Sequence, residues 1–295
     1  MTPPDAETAA GTFAEYRPLL FSIAYEILGS VADTEDVLQD SYLRFARVDL
    51  DDVAHPRAYL AQLVTRQALN ALRTAARRRE EYVGPWLPEP LQTDTGDEPG
   101  AHVLTGEAVS TAMLLVLETL TPTERAVFVL REVFDFGYPE IADAVGKKPA
   151  AVRQIAHRAR NHVRARRTAA LAEPAEARAV AERFLAAAAT GDVQSLMDLL
   201  APDVVFLGDG GGVRSAARRP VHGADKVARL VVGLLRVGAG LGAMGVRFAQ
   251  YNGLPAVVVS FDGVVDTITC VEVTEGAVSG VYSLRNPEKL AGIAP

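Results

Sequence analysis

The sequence predicts a multidomain chain in which two all-α domains are followed by an α+β domain. Residues 12–79 and 107–170 carry apolar side chains at three- and four-residue spacing, the period of amphipathic helices. Between them, residues 80–106 hold four prolines (Pro85, Pro88, Pro90, Pro99), four glycines and six acidic residues without one Lys or Arg, the composition of a linker. From residue 171 onward, two or three helical runs give way to alternating β-branched stretches. Ala256-Val-Val-Val-Ser-Phe261 and Asp266-Thr-Ile-Thr-Cys-Val-Glu-Val273 are the clearest. The boundaries are therefore 12–79, 80–106, 107–170 and 171–295, and a chain of 295 residues has room for them at about 100–200 residues per domain.

Composition narrows the class. Hydrophobic residues make up 49% and charged residues 23%, the balance of a soluble globular protein. No apolar run approaches the ~20 residues of a membrane span, and the opening residues lack the basic patch and apolar core of a signal peptide. The single cysteine, Cys270, excludes an internal disulfide and a cysteine-based zinc site. A cytoplasmic, reduced protein with no structural metal and no cofactor is expected. The net charge of −7 disfavours a uniformly basic nucleic-acid binder, but the distribution is uneven: residues 147–167 hold eight basic residues and no acidic one.

In the first helical block, Asp33-Thr-Glu-Asp36 places carboxylates in an opening turn, where the helix dipole favours them. Val37, Leu38, Ser41, Tyr42 and Phe45 follow as one apolar stripe, and Glu35, Asp36, Gln39, Asp40 and Arg44 take the other face. After the loop 48–55, Pro56 suits a first helical turn. Tyr59, Leu60, Leu63, Val64 and Ala71 then line one face, with Arg57, Arg66, Asn70, Arg73 and Arg77 opposite. On composition alone the acidic face reads first as a solvated surface, whereas the Arg-rich face serves equally for solvation or for binding phosphate.

The second block opens with Thr121-Pro-Thr-Glu124, a capping box with proline at the first position. Two helices about Gly146-Lys-Lys-Pro149 follow, over 138–145 and 149–164. The second has Val152, Ile155, Ala156, Ala159 and Val163 inward, and it presents Arg153, Gln154, His157, Arg158, Arg160, Asn161 and Arg164 outward. This pattern is a helix-turn-helix with a basic recognition helix, the competing reading being a basic helix of a bundle.

Taken together, Asp33-Thr-Glu-Asp-Val-Leu-Gln-Asp40, His55-Pro-Arg-Ala-Tyr59 and Asn70-Ala-Leu-Arg73 resemble region 2 of extracytoplasmic-function sigma factors of the sigma-70 family. Leu120-Thr-Pro-Thr-Glu-Arg125 and the helix-turn-helix resemble their region 4. Trp86-Leu-Pro-Glu-Pro90, Asp209-Gly-Gly-Gly212 and Asn286-Pro-Glu-Lys-Leu290 resemble hallmark segments of a subgroup that carries a C-terminal SnoaL-like, nuclear-transport-factor-2-like cone. The glycine run ends in Val213, where a basic residue is expected in relatives.

The resemblance implies roles. Core RNA polymerase, through its β′ and β subunits, and promoter DNA are the implied partners. Asp36, Gln39 and Asp40 would dock on the β′ coiled coil. The loop 48–55 would hold an extruded base of the minus-10 element, with Asn70, Arg73 and Arg77 beside it. Arg153, Gln154, His157 and Arg158 would read the minus-35 element, and Lys147, Lys148, Arg160 and Arg164 would position the DNA backbone. Trp86, Leu87 and Pro88, Asp209, Gly210, Gly211 and Gly212, and Asn286, Pro287, Glu288, Lys289 and Leu290 would form an intramolecular regulatory contact between the C-terminal domain and the sigma segments.

Two readings compete. The cone fold also serves cyclases and isomerases, whose chemistry needs an acid or base in an apolar cavity. Asp209, His222, Asp262 and Asp266 are the candidates, and none has a partner at motif spacing, so no enzymatic activity is expected. A helix-turn-helix regulator acting without polymerase is the other rival. Cys270, in an alternating apolar strand, reads as core. A small ligand in the cone is compatible with the sequence, and the terminal Asn286-Pro-Glu-Lys-Leu290 reads either as a docked segment or as a frayed tail.

Overall fold

The computed structural model describes residues 4–93, 110–166, 172–238 and 242–295, leaving aside the side chains of residues 4–7 and 75–80. Residues 94–106 of the expected linker and the side chain of Arg77 lie outside the described residues. The chain divides into two compact units: residues 1–80, 97–109 and 113–167 form the first, and 81–96, 110–112 and 168–295 the second.

The first unit is helical. Its elements are α1 (Pro4–Leu28), α2 (Val31–Phe45), α3 (Pro56–Glu80), α4 (Thr111–Glu118), α5 (Pro122–Phe128), α6 (Tyr138–Val145) and α7 (Pro149–Arg166). Helix α2 starts before the acidic cluster, because Ser30 caps it: its Oγ accepts from the Asp33 N–H at 3.2 Å. Only Asp33 of that cluster therefore occupies the first turn. The buried stripe of α2 runs Thr34, Val37, Leu38, Ser41 and Phe45, so Tyr42 moves to the margin, edge-on to Phe13 of α1 at 5.3 Å. The capping box at Thr121 forms as the sequence predicts, with Glu124 bonding back to the Thr121 N–H at 3.2 Å. Helix α4, ahead of that box, begins directly after Ser110, a residue type suited to an N-cap. The chain after α5 widens into a π-turn over Val129–Val133 before reaching α6.

The helix-turn-helix packs on α3. Arg66 Nη2 and Gln62 Nε2 donate to the Asp143 carbonyl at 2.7 and 3.1 Å, and the Arg57 guanidinium lies 4.5 Å from the Phe136 ring. Arg57 and Arg66 stay exposed, as helical periodicity has them, while their guanidinium groups also reach the second helical block. One cation is fully internal. Arg125, 1% exposed, donates through Nε to the Glu26 carbonyl of α1 at 3.1 Å and pairs through Nη1 with Glu118 of α4.

The second unit is α+β. Helices α8 (Pro174–Thr190) and α9 (Val193–Leu199) lead into β1 (Leu200–Asp209). There follow β2 (Val221–His222), α10 (Ala224–Gly238), β3 (Met244–Tyr251), β4 (Leu254–Phe261), β5 (Val264–Thr274), β6 (Ala277–Leu284) and the short α11 (Pro287–Leu290). The six-stranded sheet has the order β2-β1-β6-β5-β4-β3, with β1 parallel to β6 and every other pair antiparallel. Its core joins Phe184 of α8, Leu196 of α9 and Val227 of α10 to Phe206, Val271 and Val281 of the sheet. The parallel β1–β6 pairing sets Asp209 beside Leu284, which brings the end of the glycine-bearing strand next to the start of the Asn286 segment.

Replacing Arg125 by alanine removes the ion pair to the part-buried Glu118 and the bond to the Glu26 carbonyl and empties a fully buried site, so the variant is expected to lose about 3 kcal/mol of stability. Urea unfolding of the full chain measures this, and a loss below ~1 kcal/mol would show that the pair is hydrated in solution.

Candidate nucleic-acid interface and linker clamp

Asp36, Gln39 and Asp40 project exposed from α2, off its buried stripe. Glu35, on the same helix, is taken up by Arg17 of α1 at 2.6 Å. Along α3, Asn70 and Arg73 are exposed and bonded to each other, Arg73 Nη1 to Asn70 Oδ1 at 3.1 Å. The loop 48–55 contains a 3-10 turn over Leu50–Asp52, begun by Asp49, whose carboxylate accepts from the Asp51 N–H at 3.1 Å.

The helix-turn-helix is built by local rules. Gly146 terminates α6 at φ 66, a left-handed conformation that costs glycine little, and α7 follows after Lys147 and Lys148, both exposed. Helix α7 buries Val152, Ile155, Ala156, Ala159 and Val163, the stripe expected from sequence. Arg153, Gln154, His157, Arg158, Asn161 and Arg164 are exposed along its other side. Arg160 differs, because its guanidinium is held by Glu132 at 2.6 and 3.1 Å and is only partly exposed. Arg158 approaches Glu124 at 3.7 Å, a weaker contact at an exposed position.

Asp209 organises the second unit. Its carboxylate is fully buried, and four donors converge on it. The Tyr82 hydroxyl and the Gly211 N–H donate to Oδ1 at 2.5 and 3.0 Å, while the Leu87 N–H and Lys289 Nζ donate to Oδ2 at 2.9 and 2.8 Å. Lys289 also donates to the Leu87 carbonyl at 2.5 Å and lies 4.2 Å from the Trp86 ring centroid, so its charge meets a carboxylate, a carbonyl and a π face together. Asn286 completes the set. Its Nδ2 donates to the Tyr82 hydroxyl at 2.8 Å, and its Oδ1 accepts from the Glu288 N–H at 3.1 Å, capping α11. Pro287 and Glu288 begin that helix at the surface, whereas Leu290 is buried. Residues 286–290 are therefore docked, and the frayed-tail reading is excluded. Leu87 and Pro88 are buried with them, and Trp86 is half-buried.

The glycines permit this approach. A Cβ on Gly211, whose φ is +63, would fall 2.5 Å from Asn286 Cγ, and one on Gly210 would fall 2.1 Å from the Arg214 carbonyl oxygen. Gly212 lies against Val83, and Val213 points into solvent.

A second contact holds the same segment further along. Asn252, buried and at φ 47 in the β3–β4 hairpin, accepts the Leu91 N–H through Oδ1 at 2.9 Å. Its own N–H donates to the Leu91 carbonyl at 2.8 Å, and the Thr93 N–H donates to the Gln250 carbonyl at 2.9 Å. Sequence reasoning missed Tyr82 and Asn252. The dipeptide Asn252-Gly253 between two alternating runs was the available hairpin signal; nothing local marks Tyr82.

Of the four acids or bases weighed for catalysis, Asp209 is committed to this clamp, His222 is exposed on β2, and Asp262 is exposed in the β4–β5 turn at φ 50. Asp266 is bound by Arg285 at 2.9 Å. Cys270 is buried, and burial pushes its thiol up to about 12, so it is inert core. Among the described residues, no group of three or more His, Cys, Asp or Glu is placed to hold a metal ion, and no helix is long and apolar enough to cross a membrane.

Comparison with known proteins fixes the class. Residues 12–78 match the family profile Sigma-70 region 2, and residues 110–163 match Sigma-70, region 4. These two profiles define a sigma-70-type transcription initiation factor. SigJ of Mycobacterium tuberculosis, an ECF RNA polymerase sigma factor, is 39% identical over 293 residues, which cover 95% of this chain and 92% of that relative. The crystal structure of SigJ superimposes with a TM-score of 0.78 at 34% identity, covering 96% of this chain and 98% of that one. SigI of the same organism, named as a probable ECF sigma factor, is 31% identical over 75% of each chain. The chain belongs to the extracytoplasmic-function sigma factors of RNA polymerase, and the full-length relatives are named as sigma factors, not as enzymes.

Two outcomes follow for the clamp. Lys289→Met leaves the Asp209 carboxylate buried without its counter-charge, at a cost of about 3–5 kcal/mol. Release of the linker should red-shift the emission of Trp86, the chain's one tryptophan; an unshifted spectrum would show the segment still docked. The second concerns pH. The Tyr82 phenol is raised above its ordinary 10.0 by burial and then by its hydrogen bond to Asp209. A proton held more tightly in the folded state stabilises fully below pH 10 and is lost as pH climbs above it. Trp86 emission should therefore shift above pH 10 in the parent protein, with that alkaline step missing in Tyr82→Phe.

Proposed function

We propose that this sigma factor directs core polymerase to promoters bearing minus-35 and minus-10 elements, and that its C-terminal unit sets its activity by seizing the linker between its DNA-reading regions. On this reading Asp36, Gln39 and Asp40 dock on the polymerase β′ subunit, and region 4 also engages the β subunit. Asn70 and Arg73, together with Arg77, serve the minus-10 element. Arg153, Gln154, His157 and Arg158 read the minus-35 element in the major groove. Lys147, Lys148 and Arg164 contact phosphates, and Arg160 joins them once Glu132 releases it. The exposure of Asp36, Gln39, Asp40, Asn70, Arg73, Lys147, Lys148, Arg153, Gln154, His157, Arg158 and Arg164 beside buried apolar stripes supports the assignment. Extruding a minus-10 base costs a few kcal/mol, which a pocket at loop 48–55 must offset.

The observation that carries the regulatory half is the convergence of Tyr82, Leu87 and Lys289 on Asp209. A free linker reaches about 3.3–3.6 Å per residue, and fixing residues 82–93 to the sheet removes that length from the tether between regions 2 and 4. A shorter tether restrains the two regions from engaging both promoter elements, so the clamped state is the less active one. Solution in the cytoplasm, where core polymerase is found, is the matching location.

Two substitutions test the first half. Asp40→Arg should abolish core-polymerase binding in a gel-shift or pull-down assay while promoter-fragment binding by region 4 persists; equal binding would remove α2 from the polymerase interface. Arg153→Ala should cost ~1–3 kcal/mol at one base pair of the minus-35 element. A uniform loss over all promoter sequences would reassign Arg153 to phosphate contact.

A further inference from the structure

The second unit holds an apolar cavity of about 150 Å³ among α8, α10 and the sheet. Phe184, Leu185, Phe206, Val231, Leu235 and Val257 line its walls. Its mouth is apolar as well: Leu234, Val237 and Met244 line it and remain 40%, 69% and 51% exposed. Val246 and Phe248 continue this exposed apolar rim along β3, at 53% and 49%. Side chains of this kind are left open to water where something apolar passes.

One end of the cavity is polar by construction. In the β4–β5 ladder Val259 pairs with Thr267 and Ser260 with Val265, so Asp266 is an extra residue, a bulge that re-aims its side chain. Arg285 grips that carboxylate at 2.9 and 3.1 Å, and Thr267 Oγ1 donates to it at 2.7 Å. The pair is saturated and neutral overall, and it offers no spare counter-charge to an ionised guest. Thr269 and Ser283, beside it in the lining, are joined only by a long 3.4 Å contact and keep their capacity to donate or accept.

We propose that this cavity is a sensor site for a small, uncharged, mostly apolar molecule carrying a single hydroxyl or carbonyl, and that its occupancy is transmitted to the linker clamp. A cavity near 150 Å³ has room for a guest of about the size of benzene, and its open apolar mouth gives that guest a way in. The hydroxyls of Thr269 and Ser283 select for one polar group on that guest. Transmission has a short route. Arg285 lines the cavity, its backbone N–H donates to the Asp209 carbonyl at 2.7 Å, and the next residue is Asn286. Phe206, on the cavity wall, lies on the same strand as Asp209, three positions before it. A guest that moves the ends of β1 and β6 moves two clamp residues with them. The coupling rests on the clamp reading above; the binding does not.

Cyclohexanol, transparent and of the stated class, is the probe. Titrated into the full chain, it should raise Tm saturably and shift Trp86 emission over the same concentration range. Val231→Phe and, separately, Ala188→Leu fill the cavity and should abolish both responses while each variant keeps its own cooperative melt. A non-saturating response, or an unchanged response in both filled variants, overturns the site. A saturable Tm rise with unmoved Trp86 emission overturns the coupling. Failure of the clamp reading itself is distinguishable, because the linker would then stay docked in Lys289→Met whatever cyclohexanol does.

Discussion

The second unit depends on one carboxylate. Asp209 has no exposed surface, and a buried charge without partners is prohibitively expensive. Its four hydrogen bonds come from three stretches of chain far apart in sequence: the linker, the glycine turn and the C-terminal segment. Release of the linker would take two of the four donors, Tyr82 and the Leu87 N–H, from a carboxylate that has no access to water. Well-made buried ion pairs contribute little net stability but report strongly on the loss of a partner.

The first unit uses the same chemistry at Arg125, which ties α1, α4 and α5 through one buried guanidinium. Around it, α3 is shared: one side carries Asn70 and Arg73, and another packs on α6 through Gln62 and Arg66. Two of the contacts of α3 with α6 are polar bonds to a single carbonyl, Asp143, at an exposed position.

Legibility of the sequence followed how local each signal was. The capping box at Thr121, the glycine stop at Gly146 and the buried stripe of α7 obey rules that act within a few residues, and they stand where the pattern puts them. The start of α2 was set by Ser30, a cap that the neighbouring carboxylates overshadowed. Arg57 and Arg66 are exposed as helical periodicity has them, but their contacts with Phe136 and the Asp143 carbonyl come from a later part of the same unit, which periodicity cannot register. The glycine run was legible as a place of close approach, although the approaching group, Asn286, lies in a segment distant in sequence. Tyr82 and Asn252 owe their roles to tertiary pairing alone. The linker composition predicted poor helix, correctly for residues 81–93, yet gave no hint that Leu87, Pro88 and Leu91 would be buried.

The central claim is that holding the linker restrains transcription. Run-off transcription with core polymerase and a promoter taken from upstream of the protein's own gene tests it, comparing the full chain with Lys289→Met at matched core occupancy. The account predicts more promoter-specific transcript from the variant, with core binding unchanged. Identical transcript over a full promoter titration, or less of it with core binding intact, would contradict the account.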